Sequence, residues 1–313
     1  MTAEKILITG GAGYLGSVMT ELFLRRGHRV AVLDDFRYRQ GSLLHLCHSR
    51  RLKIVKGDVR DRRRLAPLLA ESDVIIPLAA VVGAPACEAR PEESRSVNVG
   101  AIRLLDRLRS KNQAVLFPVT NSGYGVGEEG VYRTETSPLR PVSRYGKQKV
   151  EAEKILLAGG GAVAFRLATA FGVSPRMRLD LLVNDFTYRA VKEGVIVLFE
   201  EHFQRNYIHV RDVARVFDFG MKNYSRLKGE VFNVGLSNAN LSKIELCRRI
   251  KKFVPKLAII TSKVGRDPDR RNYLVSNAKI EKAGFRPIFS LDAGIQELIR
   301  AYSFVKNSVY DNL

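Results

Sequence analysis

Apolar residues in the first half of the chain come in short, nearly continuous runs. KILIT (Lys5–Thr9), RVAVLD (Arg29–Asp34), KIVK (Lys53–Lys56), VIIPLA (Val74–Ala79), VLFPVT (Val115–Thr120) and VAFRL (Val163–Leu167) each read as a strand. A strand covered on both faces loses the alternation of a half-exposed one, so these runs point to parallel strands sandwiched between helices. Between them apolar positions recur every three or four residues. That spacing predicts helices over Tyr14–Arg26, Arg62–Glu71, Glu92–Ser110 and Val142–Ala158. Such alternation predicts an α/β fold built on a doubly wound parallel sheet. After Gly172 the pattern becomes irregular, with Pro175, the stretch Arg176–Leu179 and short helical pieces. The expected division is residues 1–172 as the sheet domain, completed by later segments, and residues 173–313 mainly as a smaller C-terminal lobe. No Gly-, Pro- or Ser-rich linker separates the two, so they are expected to form one unit.

Composition removes several function classes. The chain has 313 residues, 45% of them hydrophobic and 27% charged, enough for a sizeable core and unlike a disordered chain. No apolar run approaches the ~18 residues of a membrane span. No basic segment followed by an apolar stretch opens the sequence, so a cytoplasmic location is expected. Cys47, Cys87 and Cys247 are few, odd in number and far apart. That excludes a disulfide framework or four-cysteine zinc site, and no metal is expected. His209 has no second His, Cys or carboxylate at ligand spacing and reads as a structural histidine. The 52 basic and 32 acidic residues give a net charge of +20. Clusters such as Arg60–Arg64 and Arg248–Lys252 fall in helix-like segments and read as solvated faces. Neither nucleic acid nor a membrane is expected as a partner; attraction of polyanionic small ligands is the remaining use of the charge.

The first strand runs into Gly10-Gly11-Ala12-Gly13-Tyr14-Leu15-Gly16, and a helical pattern follows at once. Glycines 10, 13 and 16 permit a tight turn and a close backbone approach to a pyrophosphate at a helix N-terminus. The second strand ends in Asp34, about 20 residues on, where a carboxylate takes the ribose hydroxyls of an adenine dinucleotide. A carboxylate there repels a 2′-phosphate, so the predicted cofactor is NAD rather than NADP, although Arg37 and Arg39 lie close behind. Asp58-Val59, after the third strand, falls where a loop meets the adenine; Asp58 also reads as a cap for the next helix.

Tyr145 and Lys149 lie four apart at the start of a helical pattern, on one face. A phenol is a poor base at neutral pH unless cations beside it favour the phenolate, which makes Lys149 the expected partner of a Tyr145 general base. The segment Thr120-Asn121-Ser122-Gly123-Tyr124-Gly125 ends the fifth strand, where ligands bind in open α/β sheets. A hydroxyl there holds a substrate oxygen and shuttles its proton.

The glycine loop, Asp34, Asp58-Val59, Leu78-Ala79-Ala80, Thr120–Gly125 and Tyr145…Lys149 occur in the order seen in extended short-chain dehydrogenases/reductases, which the chain resembles over essentially its whole length. These are nucleotide-sugar epimerases, dehydratases and dehydrogenases. The resemblance implies a Rossmann domain with tightly held NAD and a C-terminal lobe for the nucleotide sugar. It implies Thr120, Tyr145 and Lys149 as catalytic groups. It implies Gly10, Gly13, Tyr14, Leu15, Gly16, Asp34, Asp58, Val59, Leu78, Ala79, Ala80 and Asn98 around the cofactor, with Tyr145 and Lys149. Ser122 matches a sugar-contacting position. Arg205-Asn-Tyr-Ile-His-Val-Arg-Asp212 is similar to a family segment whose leading arginine contacts the diphosphate, and Arg266-Asp-Pro-Asp269 to a second such arginine. Arginine's planar fork suits phosphate oxygens. The resemblance also implies a homodimer or higher homo-oligomer, through the helices Glu92–Ser110 and Val142–Ala158.

Within that family the chemistry begins with oxidation at C4. A 4,6-dehydratase carries an Asp-Glu pair after the catalytic Thr, whereas this chain has Asn121-Ser122. Finer stretches, Ile75–Cys87 and Ser174–Ala190 among them, resemble GDP-manno-heptose 4-dehydrogenases of bacterial capsule synthesis. That resemblance implies GDP-D-glycero-α-D-manno-heptose as substrate, its 4-keto form as product and 2-oxoglutarate as a hydride acceptor. It makes Arg176, Arg178 and Asn184 substrate-binding candidates. The alternative is a nucleotide-sugar 4-epimerase, with a non-catalytic NAD-binding regulator as a different class.

Overall fold

The computed structural model describes residues 3–262 and 271–304. At its centre lies a seven-stranded parallel sheet. The first five strands are β1 (Lys5–Thr9), β2 (Arg29–Asp34), β3 (Leu52–Lys56), β4 (Val74–Pro77) and β5 (Ala114–Thr120). The order across the sheet is Val231–Val234, Ala162–Leu167, β5, β4, β1, β2, β3. The chain winds outward from β1 to β3, then starts again at β4 on the other side of β1. A crevice opens at that reversal, beyond the carboxyl ends of the strands.

Successive residues of a strand face opposite sides, and both sides are apolar here. Ile6, Ile8, Val30 and Val32 pack with Met19, Phe23 and Phe217. Leu7, Leu33, Ile75 and Val115 pack with Leu65, Leu105 and Leu156. Helices α1 (Tyr14–Arg25) and Val210–Lys222 supply partners on the first face. Helices Arg62–Ala70, Ala101–Leu108 and Arg144–Ala158 supply those on the second. A third core, containing Phe171, Val183, Tyr207, Leu246, Ile295 and Tyr302, belongs to the C-terminal lobe. Its strands are Thr169–Phe171, Gln204–His209 and Asn240–Ser242, plus the parallel pair Val195–Phe199 and Ala258–Ser262. The lobe is not contiguous in sequence, because Val231–Val234 leaves it to pair with Ala162–Leu167 in the large sheet.

Two sequence expectations change. Glu92–Ser110 is not one regular helix but Pro91–Arg95, a π turn over Ser96–Gly100, and Ala101–Leu108. A π turn inserts a residue and re-aims a side chain. Here the turn carries Asn98, whose amide exchanges two hydrogen bonds with the backbone of Val81, at 2.8 and 2.9 Å. Asp58 does not cap the helix after β3. Asp61 does, accepting from the Arg63 amide at 2.8 Å. Among the described residues no helix is long and apolar enough to cross a membrane, and no group of three or more His, Cys, Asp or Glu is placed to hold a metal ion.

Candidate active site

A cleft of about 700 Å³ runs across the carboxyl ends of the strands, between the sheet and the lobe. Its sheet side begins with the glycine loop. The Gly10 amide donates to Leu33 O at 2.8 Å, and Gly13 N to Gly10 O at 3.1 Å. Gly10 has φ +74, and a Cβ on it would lie 2.7 Å from the Ala79 amide nitrogen. A Cβ on Gly16 would lie 2.3 Å from Gly10 O. These positions admit glycine alone without a backbone shift. Helix α1 starts at Tyr14 with no side-chain cap and no acidic residue in its first turn. Its first amides therefore face the cleft as an anion cradle, the shape and polarity a pyrophosphate needs.

Asp34 is nearly buried. One carboxylate oxygen accepts from the Ala12 amide at 3.0 Å, and the other from Phe36 N at 2.9 Å and Gln40 Nε2 at 3.3 Å. Burial raises its pKa above the usual aspartate value, and the two backbone amides oppose the rise. The carboxylate thus braces the glycine loop as well as lining the cleft. Arg37 is committed to carboxylates, Asp35 at 2.7 Å and Glu93 at 3.1 Å, which leaves it a poor partner for a 2′-phosphate. Asp58 and Val59 line the cleft; Asp58 also holds Arg60, whose guanidinium keeps its carboxyl below the ordinary range. Leu15, Leu78, Ala79 and Ala80 complete this wall. Tyr14 lines it too, and its hydroxyl donates to Gly172 O at 2.9 Å, tying α1 to the start of the lobe. Asn98 does not line the cleft. Its amide is spent on Val81 and on Gln148, whose Oε1 lies 2.8 Å away, so it anchors the Val81 loop to the Tyr145 helix.

Thr120, Ser122, Tyr145 and Lys149 come together on the cleft wall. Thr120 ends β5 and caps the short turn Asn121–Tyr124; its Oγ1 accepts from Ser122 N at 3.1 Å and lies 2.8 Å from Ser122 Oγ. The helix Arg144–Ala158 starts on a Ser143 cap and presents Tyr145, Lys149 and Glu153 one turn apart. Burial pushes the Tyr145 phenol up to about 12, against the cations Arg178 and Arg271, with Cys87 adding to the rise. Burial also depresses Lys149 to about 7, partly offset by Glu153. Its ammonium sits 4.2 Å from the Phe117 ring centroid. Two arginines, Arg178 and Arg271, thus stand as cations near Tyr145 in addition to Lys149 one helical turn on.

The lobe side carries Arg176, Arg178, Arg189, Arg205, Lys243 and Arg271. Arg178 pairs with Asp180, and Arg176 lies over the Tyr38 ring, 4.8 Å from its centroid. Arg205 is buried, donates to Gln204 O at 2.9 Å and faces Tyr273. Asn184 lies outside the lining. It is fully buried, accepts from Gly172 N at 3.0 Å and donates to Arg178 O at 2.8 Å, so it shapes the Arg178 segment from behind. Arg266 lies outside the described residues. Sequence reasoning missed Arg271, Lys243 and Tyr273. Lys243 directly follows Ser242, whose capping box with Glu245 was legible as Ser-x-x-Glu. Nothing in the spacing around Arg271 singles it out from its neighbour Arg270. His209 is buried, accepts from Arg211 N at 3.2 Å and starts the helix Val210–Lys222.

Residues 6–235 match the NAD dependent epimerase/dehydratase family. The sequence is 26% identical over 309 residues to UDP-glucuronic acid decarboxylase 1 of Arabidopsis thaliana, covering 94% of this chain and 69% of the relative. The fold superposes with a TM-score of 0.83 on dTDP-glucose 4,6-dehydratase of Bacillus anthracis in complex with NAD, at 24% identity and 96% and 97% coverage. It superposes equally, TM-score 0.83, on the Thermus thermophilus UDP-glucose 4-epimerase complex with NAD, at 23% identity and 96% and 100% coverage.

Proposed function

Because the chain belongs to the NAD-dependent epimerase/dehydratase family, we propose that it oxidises C4 of a nucleoside-diphosphate sugar. The observation that carries this reading is one cleft lined by the glycine cradle, Asp34, the Thr120–Tyr145–Lys149 group and the cationic lobe wall. NAD, when bound, supplies the hydride acceptor. The cradle at α1 holds the pyrophosphate, and Asp34 takes the adenosine ribose. Tyr145 takes the proton of the C4 hydroxyl, Thr120 holds its oxygen, and Lys149 stands one helical turn below the phenol. Arg205 and Lys243 bind the diphosphate of the sugar nucleotide, with Arg266 as a further candidate.

The outcome best supported by the relatives is 4-epimerisation, in which the hydride returns to the opposite face of the keto sugar. Ser122 speaks against dehydration, since a hydroxyl cannot serve as the acid–base carboxylate that the dehydratases place after their threonine. A second reading is a 4-dehydrogenase that releases the keto sugar, with GDP-manno-heptose as substrate and 2-oxoglutarate as acceptor. Arg176 favours it, because a guanidinium at the lobe wall, beside an Arg178 already paired with Asp180, suits a carboxylate-bearing acceptor. The subunits are proposed to pair through the helices around β5.

Incubation with NAD and a panel of UDP-, dTDP-, CDP- and GDP-sugars, with and without 2-oxoglutarate, separates these outcomes by mass and chromatography. An epimer has the mass of the substrate, whereas a keto sugar is lighter by two hydrogens. Unchanged sugars across the whole panel would overturn the C4-oxidation reading.

A further inference from the structure

The Arg271 guanidinium donates to Ser122 Oγ. Ser122 Oγ lies 2.8 Å from Thr120 Oγ1, and the Ser122 backbone amide donates to the same Thr120 oxygen at 3.1 Å. Arg271, Ser122 and Thr120 all line the cleft that holds Tyr145. Side chains from the C-terminal part of the chain and from the end of β5 therefore form one hydrogen-bonded row, ending on the hydroxyl expected to touch the sugar.

The direction of that row follows from the donors. A guanidinium only donates. A hydroxyl oxygen receiving a charge-assisted hydrogen bond becomes a better donor and a poorer acceptor, because successive bonds polarise one another. Either hydroxyl of the 2.8 Å pair is capable of donating, and this polarisation favours Ser122 as the donor to Thr120 Oγ1. That oxygen then accepts twice, from the hydroxyl and the amide of Ser122, and the Thr120 proton is left to point into the cleft.

We propose that Arg271 is a positioning residue that fixes this direction, so that Thr120 donates to the C4 oxygen and Tyr145 alone receives the C4 hydroxyl proton. This rests on the C4-oxidation reading. It narrows the threonine's role from a proton shuttle to a donor that stabilises the oxygen as it becomes a carbonyl. Bonds balance when Tyr145 enters as the phenolate, its own proton having left for solvent before the sugar reacts: the C4 O–H proton goes to the phenolate Oη, the C4 hydride to NAD, and Thr120 keeps its proton throughout. The charged and titratable groups around Tyr145 are Arg178 from the lobe, Arg271, Cys87 from the helix Ala84–Ala89, and Lys149 from its own helix. Removing Arg271 therefore takes away a cation that pulls the phenol down.

Arg271→Gln is expected to lower kcat roughly tenfold to a hundredfold while KM for the sugar nucleotide changes less. The acidic limb of the kcat–pH profile moves to higher pH, and Arg271→Lys restores most of the rate. Ser122→Ala added to Arg271→Gln costs little more, because the two act through one row. A rise in KM with unchanged kcat, or fully additive losses, would overturn the proposal. A readout without turnover separates its failure from that of the parent reading. The Nη–H resonances of Arg271, assigned by their loss in Arg271→Gln, are expected to move in Ser122→Ala protein; unmoved resonances reject the row. A moved resonance in a protein that turns over no sugar would reject the C4 chemistry and keep the row.

Discussion

At the scale of single residues the site is a contest between burial and charge. Tyr145 and Lys149 are both removed from water, and burial moves each towards its neutral form, the phenol up and the ammonium down. Lys149 has a consequence for stability that can be signed. Its pKa falls from 10.5 to about 7 on folding, so the unfolded chain binds more protons between those values. The stability lost by burying the charge is absent above the unfolded pKa and full below the folded one. Lys149→Met is therefore expected to raise the melting temperature, more at about pH 6 than at about pH 9. Thermal unfolding of both proteins at the two pH values checks this; an equal gain at each would show that the ammonium is not held in a desolvated place.

At the scale of elements, most of the sheet was legible because its strands are long apolar runs and its loop is written in glycine. Lys5–Thr9 and Arg29–Asp34 agree residue for residue with β1 and β2. The break in Glu92–Ser110 was not legible, since no proline or glycine pair marks it and the π turn carries Asn98 to a partner far off in sequence, Val81. The same limit applies to Asn98 and Asn184. Their residue type suggests ligand contact, and only the fold reveals that backbone groups consume their amides. Arg271 was missed because its role comes from meeting Ser122, 149 positions away in sequence. The glycine loop gives the prediction at this scale. Gly16→Ala places a methyl against Gly10 O and Gly11 Cα, at 2.3 and 2.6 Å. Backbone cannot yield as a side chain tip can, so the variant is expected to lose roughly 1–3 kcal/mol of stability and most of its affinity for NAD. Calorimetric titration with NAD checks it; wild-type affinity would remove the loop from the cofactor site.

At the scale of the whole molecule, two lobes share one cleft and are clipped together at the glycine-loop end. Ser174 Oγ donates to Tyr14 O at 2.7 Å, beside the bond from Tyr14 to Gly172 O. The cleft gathers more cations than carboxylates on its lobe side, with Arg178 paired to Asp180 and Arg189 to Asp185, within a chain of net charge +20. A field of one sign focused in a low-dielectric cleft draws anionic ligands, and salt screens it over about 8 Å at physiological ionic strength. KM for the sugar nucleotide is accordingly expected to rise several-fold between low and high salt, with kcat nearly constant. A kcat that falls while KM holds would assign the charge to conformational stability instead.

The central claim is that hydride leaves C4 of a nucleoside-diphosphate sugar under the control of Tyr145. The most direct test is a sugar nucleotide deuterated at C4, mixed with NAD-loaded protein and followed by mass spectrometry of the cofactor and sugar. Deuterium is expected to appear on NADH, or to return to C4 of the epimer with inverted configuration. Tyr145→Phe is expected to slow that transfer by roughly 10²–10⁴-fold with NAD still bound. A substrate that is converted while its C4 deuterium never leaves carbon, or transfer at full rate in Tyr145→Phe, would contradict the account.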